Sequence, residues 1–585
     1  MENRIRLVGA LFLVAGIVLI GRLFFWQIVR GKDLADQARG QQLHRNRTLA
    51  HRGNILASDG TPLAASQDKW LLFAQIPELK DNAVLIANQL APLLVDEDDV
   101  KQPVSDDPGV KPEKIDYKDL LLEETSRISN TLSQDLMWVP LEKKLDSDTK
   151  QKIEDLSIHG LGFDIEEDRL YPEASSSAHL LGFVGKDSEG NNKGYFGLEG
   201  FYDFSLTGSG GYKVRETDAL GNPLIFGSSN EISAKQGLDL LTHIDKTVQL
   251  TIETKLAEGL EKYGALSGNI IVMNPKTGAI MGMASNPYYD PREYFEYSDE
   301  LFRNPAISDA YEPGSIFKPI VMAAGIDAGV VEPETVCDIC GQPLKVDKYY
   351  IRTWNNEYHA GSTMTDVIKN SDNVGMAFVA DRLGSDRLYD YLDSFGFGHV
   401  TGIDLQGEAT ASIRERGTWN IVDLATMSFG QGIAVTPIQM ITAGAVIAND
   451  GKYVVPQVVD KFVLGDWEED IKPEYKQQVI SKEAADKMTQ MMVVAASQGE
   501  AKWAIPKGYK IAGKTGTAQI PVAGHYDEEK TIASFIGFAP PNDPEIIMLV
   551  TLREPESSQW ASETAAPLWF DIARVLFPHL GIKPG

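Results

Sequence analysis

Residues 509–520 read YKIAGKTGTAQI, and two further strand-like segments follow, TIASFIGFA (531–539) and EIIMLVTLR (545–553). All three have the length and the β-branched content of strands. The stretch 563–577, ETAAPLWFDIARVLF, then turns to a helical period. Far upstream, NIIVM (269–273) and AIMGMA (279–284) are also strand-like and are joined by the turn residues NPKTG. Before them, Asp245 precedes Val248, Ile252, Leu256, Leu260 and Tyr263, which share one helix face. Two early strands, three late strands and helices at both ends predict one antiparallel sheet covered by helices. A largely helical subdomain is expected between the two sets of strands, so the fold class is α+β.

The first late strand contains Lys514-Thr515-Gly516-Thr517. Glycine there leaves room for a substrate lying along the strand, and the lysine and flanking hydroxyls suit a carboxylate. A second pattern is EPGSIFKP (312–319). Pro313 suits a first helical turn, which predicts Ser315 at a helix N-terminus, facing the positive end of the dipole. Lys318 follows one turn on, on the same face. An amine desolvated beside a hydroxyl loses enough basicity to act as a proton acceptor. The third pattern is Ser371-Asp372-Asn373, after a helix predicted over 364–369. Each pattern has decoys, including Ser66/Lys69, Ser147/Lys150, Ser228/Asn230, Ser267/Asn269 and Lys276-Thr277-Gly278. The last of these falls in a turn between strands, where its glycine has a structural reading. Only the ordered trio is specific.

A chain of 585 residues is long for one domain. Its 55 Lys and Arg against 83 Asp and Glu give a net charge of −28, which argues against nucleic acid or an anionic membrane face as the main partner. Cys337 and Cys340 form the only cysteine pair, CDIC. Two ligands do not make a zinc site, and a local disulfide, a redox-sensitive pair and two ordinary thiols all stay open. Residues 7–29, LVGALFLVAGIVLIGRLFFWQIV, are long and apolar enough to span a bilayer. Arg22 can reach the headgroups, and Trp26 suits the interface. A cleaved signal peptide fits less well, since the stretch is too long and no small-x-small site follows it. Arg4 and Arg6 precede the span, but Arg30, Lys32, Arg39, Arg45, Arg47 and Arg52 follow it. Taken alone, that count would put the C-terminal part inside. The segment 31–47 is charged and amphipathic, and 96–118 reads as a solvated loop.

The trio matches the motif set of β-lactam-reactive serine enzymes. Together with flanking segments it resembles the class B penicillin-binding proteins over most of the chain. Those segments are RLFFWQIVRGKDL (22–34), RGNILASDGTPLA (52–64, with Ala57 where Asp is usual), RLYPEASSSAHLLGFVG (169–185), GLEGFYDFSLTGSGG (197–211), TWNNEYHAGSTMTDVIKNSDN (353–373) and FGQGIAVTPIQM (429–440). The last of these also has a structural reading, a turn followed by Thr436 as N-cap and Pro437 at the first helical position.

The resemblance implies a tail and membrane anchor over 1–30, and a non-catalytic pedestal of the dimerisation type over 31–235. A transpeptidase domain over 236–585 would have the serine β-lactamase/D,D-peptidase-like fold, with a five-stranded sheet and a helical subdomain. The N-terminus would lie inside a single-pass cell membrane protein and the rest outside. Ser315 would be the nucleophile and Lys318 its base, with Ser371 and Lys514 as a proton relay. Asn373 would hold the substrate amide, and Thr515, Gly516 and Thr517 would line the place of its terminal carboxylate. No metal and no cofactor is implied. The implied partners are D-Ala-D-Ala stem peptides, an amine acceptor, division proteins and a polytopic lipid-II glycosyltransferase meeting the span near Arg22; nucleic acid is not among them. A division-type peptidoglycan D,D-transpeptidase, acylated by β-lactams, is the expected function, ahead of an elongation-type one. A D,D-carboxypeptidase, β-lactamase or β-lactam sensor would share the trio but not the long pedestal. An inactive scaffold would not need the intact motifs, and no Gly-x-Ser-x-Gly elbow points to another serine hydrolase.

Overall fold

The computed structural model describes residues 2–34, 43–48, 50–95, 116–172, 177–216, 229–411, 413–522 and 525–585. Most of the expected loop 96–118, and residues 35–42 of the charged segment 31–47, lie outside the described residues. By internal contacts the chain forms two compact units. The first comprises Met1–Gly53 and Phe204–Leu238. Its helix Glu2–Phe24 continues as a π-helical turn, Phe25–Val29. Within Asn3–Val29 the most apolar 18 residues have a mean hydropathy of 2.5 and no burial, and no other described helix is long and apolar enough to cross a membrane. A helix apolar on all sides and unburied has the properties of a bilayer span. The same unit holds an antiparallel sheet in which Gly211–Glu216 is flanked by Leu43–Thr48 and Ser229–Ile232.

The second unit comprises Asn54–Asp203 and Asp239–Gly585. Among its described residues is a seven-stranded sheet that runs Trp467–Asp470, Val459–Leu464, Asp239–Thr242, Ile55–Leu56, Pro62–Ala74, Val139–Leu145, with Leu161–Leu170 also paired to Pro62–Ala74. Strands from either side of residue 236 therefore share one hydrogen-bonded layer, Leu240 and Leu241 pairing in parallel with Ile55 and Leu56. Ala57, next to that pairing, is fully buried, so a carboxylate there would be desolvated. The helices Ala83–Leu94 and Tyr117–Leu132 close a separate apolar core against Val139–Leu145. A buried ion pair, Arg169 Nε to Glu199 Oε1 at 2.7 Å, ties Leu161–Leu170 to the segment around Gly197–Phe201.

The five-stranded sheet is built from β1 (Ser267–Met273), β2 (Ile280–Asn286), β3 (Ala512–Val522), β4 (His525–Ala539) and β5 (Ile546–Arg553). Its spatial order is β2-β1-β5-β4-β3, antiparallel throughout. Helices α1 (Lys246–Tyr263), α2 (Lys318–Asp327), α3 (Met364–Lys369), α4 (Asn373–Leu383), α5 (Pro437–Ala448), α6 (Lys482–Gln498) and α7 (Ala565–His579) surround it. Alternate β5 residues Ile546, Met548, Val550 and Leu552 join Val248, Ile252, Trp569 and Phe577 of α1 and α7 in one core. Ile547 and Leu549, on the opposite face, are also buried. Alternation sends successive side chains to opposite faces, so a strand covered on both sides reads as one apolar run. Each such buried side chain contributes roughly 1.5–3 kcal/mol. Trp569 meets the polar requirement of burial by donating Nε1–H to Met548 O at 2.8 Å.

Asp245 caps α1 by accepting from the Thr247 and Val248 amides, and α3 spans the expected residues behind a capping box of Thr363 and Asp366. Thr436 caps α5 and Pro437 opens it, as expected. One expectation is corrected. The helix predicted to open at Pro313 begins at Lys318, and Gly314–Phe317 form a 3-10 turn instead. Pro319 has no N–H to give to the Ser315 carbonyl, which is bonded by the Lys318 amide, one residue tighter. Cys337 and Cys340 are disulfide-bonded and fully buried.

Candidate active site

Ser315 sits in the 3-10 turn against β3. Gly314 has φ +57, and a Cβ on it would stand 3.1 Å from Ala518 Cβ and from Thr517 O. A Cβ on Gly516 would stand 2.8 Å from the Ile316 nitrogen. Two glycines thus let the turn and the strand touch backbone to backbone. The turn is braced from the other side by 429–435. The Gly314 amide donates to Gly430 O at 3.1 Å, the Gly432 amide donates to Glu312 Oε1 at 3.1 Å, and Tyr311 and Val435 form a bridge. Gly430, at φ +81, would place a Cβ 2.2 Å from Gly314 O.

In a 3-10 turn residues three apart eclipse, so Ser315 and the first residue of α2, Lys318, stay on one side. Lys318 is fully buried. Its Nζ donates to Ser371 O at 2.6 Å, Asn373 Oδ1 at 2.8 Å and Ser371 Oγ at 3.1 Å. Burial, reinforced by the charge of Lys514, pushes its pKa well below that of an ordinary lysine. A neutral amine donates only two of these bonds, and its lone pair then faces a hydroxyl. Ser315 Oγ has no hydrogen-bond partner among the described residues.

Ser371 follows α3 in the left-handed conformation, φ 56. It terminates the helix where glycine is usual, a backbone strain of order 1–3 kcal/mol for a non-glycine residue. The chain then turns at once into α4, with Asp372 capping the Val374 and Gly375 amides and Asn373 in the first helical position. The middle residue of Ser-Asp-Asn is thus a cap, and its neighbours are the two that reach Lys318. Asn373 Nδ2 also donates to Arg352 O at 2.9 Å. Lys514, buried on β3, donates to Ser371 Oγ at 3.2 Å and Thr515 O at 3.1 Å. Burial lowers its pKa to about 8, against a smaller upward pull from Glu500.

A cleft of about 230 Å³ opens over this network, and Ser315, Ser371, Asn373, Thr515 and Thr517 line it. Thr517 Oγ1 accepts the Ala561 amide at 3.1 Å, which joins β3 to the loop after β5. Trp354 and Gln431, from the quoted segments 353–373 and 429–440, and Glu500, Gln559 and Trp560, which no sequence motif singled out, complete the walls. Trp354 and Trp560 meet edge to face, with ring centroids 5.0 Å apart. The pattern FGQG did mark Gln431, but as a turn; the others stand on loops whose convergence no spacing reports.

Known proteins with this combination were found by three comparisons. Residues 268–574 match the family described as the penicillin binding protein transpeptidase domain, and 47–242 match the penicillin-binding protein dimerisation domain. Stage V sporulation protein D of Bacillus subtilis is 31% identical over 100% of this chain and 87% of that relative. Peptidoglycan D,D-transpeptidase FtsI of Escherichia coli K12 is 27% identical over 99% of this chain and 92% of its own length. The solved penicillin binding protein 2X of Streptococcus thermophilus shares the fold, with a TM-score of 0.74, 24% identity, and coverage of 92% of this chain and 80% of that one.

Proposed function

This chain belongs to the penicillin-binding protein transpeptidases, peptidoglycan D,D-transpeptidases that act on stem peptides, and on that premise we propose which of its residues do the work. Ser315 attacks the carbonyl between the last two D-alanines, and neutral Lys318 takes its proton. The Ser315 and Thr517 amides hold the oxyanion, each worth roughly 10²–10³ in rate at such sites. Ser371, held between Lys318 and Lys514, passes a proton to the departing D-alanine. Asn373 holds the substrate amide, and Lys514 with Thr515 and Thr517 takes its carboxylate, while Gly516 seats the strand against the Ser315 turn instead of leaving room for substrate. An amine of a second stem peptide then displaces the serine and forms the cross-link.

The observation that carries this assignment is Ser371 Oγ within 3.1 Å of Lys318 Nζ and 3.2 Å of Lys514 Nζ. Both amines are made less basic by burial, beside a serine left free to react. The test is to treat the detergent-solubilised chain with a labelled penicillin and map the adduct by peptide mass. A stable adduct on Ser315, absent from Ser315→Ala, is expected. A label elsewhere, or rapid release of hydrolysed drug, would remove the assignment.

The remaining steps concern setting. The segments 1–30, 31–235 and 236–585 serve as anchor, pedestal and transpeptidase domain. The apolar helix anchors the protein once in the cell membrane with the cleft outside, and near Arg22 it meets a polytopic lipid-II glycosyltransferase. The name of the E. coli relative supports septal cross-linking as the role. The sporulation name of the B. subtilis relative favours a second setting, wall made during sporulation. A fluorescent fusion followed through growth separates them, by septal signal in dividing cells or signal confined to sporulating ones.

A further inference from the structure

Two buried lysines, Lys318 and Lys514, lie beneath the cleft, and its described lining includes one carboxylate, Glu500. Glu500 follows Gly499 at the end of α6. A Cβ on Gly499 would stand 2.2 Å from Ala495 O, so a residue without a side chain lets the backbone leave the helix this sharply. That turn sets Glu500 beside Lys514 and Thr515, and all three line a second, small recess. Its charge reaches Lys318 and Lys514, yet among the described residues it forms no hydrogen bond or ion pair.

This placement is wrong for binding the donor. The donor brings a carboxylate to the Lys514 end, and a neighbouring negative group repels it. The second half-reaction has the opposite requirement. The released amino acid must depart, and a primary amine, cationic at neutral pH, must arrive ahead of water. Both nitrogens share one tetrahedral centre, so the incoming nitrogen takes the position the departing one has left, next to Ser371 and Lys514.

We propose that Glu500 is the acceptor-positioning residue, holding the ammonium of the incoming amine beside the acyl-serine; this rests on the acyl-transfer reading above. Glu500 makes and breaks no bond. The ammonium gives one proton to solvent, and its lone pair forms the C–N bond to the acyl carbon. The second N–H proton passes through Ser371 Oγ to Ser315 Oγ as the C–O bond breaks. The products are an amide, free serine and one proton in solution. The carboxylate raises the local concentration of cationic amines and leaves water, the competing nucleophile, unaffected.

The solubilised full chain, acylated by an acyl-D-alanyl thioester at pH 7, is offered D-alaninamide, a cationic acceptor, or hydroxylamine, which is largely neutral at that pH. Glu500→Gln is expected to raise the half-saturating D-alaninamide concentration about two- to fivefold, the span of an exposed ion pair. The maximal aminolysis rate and the hydroxylamine reaction should change less than this. Added salt should raise the wild-type half-saturating concentration and leave that of the variant nearly constant, and Glu500→Asp should recover part of the effect. Equal half-saturation in wild type and Glu500→Gln, or equal losses with both acceptors, overturns the proposal. If the wild-type chain forms no acyl-enzyme on Ser315, the acyl-transfer assignment itself fails, a result separate from either of these.

Discussion

A lysine buried beneath a cleft weakens the fold for as long as it is charged. Lys514 titrates near 8 in the folded chain and near 10.4 when unfolded. Between those values the unfolded chain binds more protons, so stability rises with pH through that window. At pH 7 the full penalty is present, and Lys514→Met should stabilise the protein by roughly 1–3 kcal/mol, after the loss of its hydrogen bonds, at 1.36 kcal/mol per pKa unit. Thermal or denaturant midpoints of variant and wild type would show it, with the variant's advantage lost as pH rises from about 8 through about 10.4. The same residue sets an expectation for chemistry. Acylation needs Lys318 neutral and Lys514 charged, so its rate should rise on the acid side and fall as pH passes about 8, a bell-shaped profile. Glu500 pulls the Lys514 pKa upward, so in Glu500→Gln the alkaline limb should move to lower pH, measured as the second-order rate with a labelled penicillin. Ser315, Lys318, Ser371, Asn373 and Lys514 were legible because each belongs to a short pattern with a local reason for its spacing. Glu500 and Trp560 were not, because each owes its place to loops that meet only after folding.

The elements themselves read well wherever local chemistry decides them. Asp245 and Thr436 announce their helices, and the strands of the five-stranded sheet agree with their apolar runs to within a few residues, β4 apart, which starts six residues early. The turn carrying Ser315 has the local signature of an α-helix, but its tightness depends on Pro319, downstream, and on strand β3 lying against Gly314. The bracing segment 429–435 was read as a plain turn, and its contact with the nucleophile turn is tertiary. Gly430→Ala would drive a methyl into Gly314 O and strain a left-handed backbone by about 1 kcal/mol or more. We expect penicillin acylation at least tenfold slower, with the far-UV circular dichroism and the burial of Trp569 unchanged. Slow acylation accompanied by loss of the folded signal would instead mark Gly430 as a folding residue.

At the scale of the whole molecule, the seven-stranded layer matters most, since its strands come from both sides of residue 236. A chain cut to 236–585 loses Ile55–Leu56, one of the two strand neighbours of Asp239–Thr242, and exposes an unpaired edge. Such a fragment should be less soluble and melt lower than one starting at 50, tested by thermal unfolding and light scattering. Hydropathy announced the apolar N-terminal helix, but non-local pairings of two to four residues are too short to carry any periodic signal. The molecule also holds nine tryptophans, of which Trp354 and Trp560 meet edge to face in the wall of the cleft. Two indoles at that distance couple their electronic transitions, so the pair is a built-in optical gauge. Anything wedged between them should weaken a near-ultraviolet exciton signal, and occupancy of the cleft can then be followed in real time with no label on either protein or ligand.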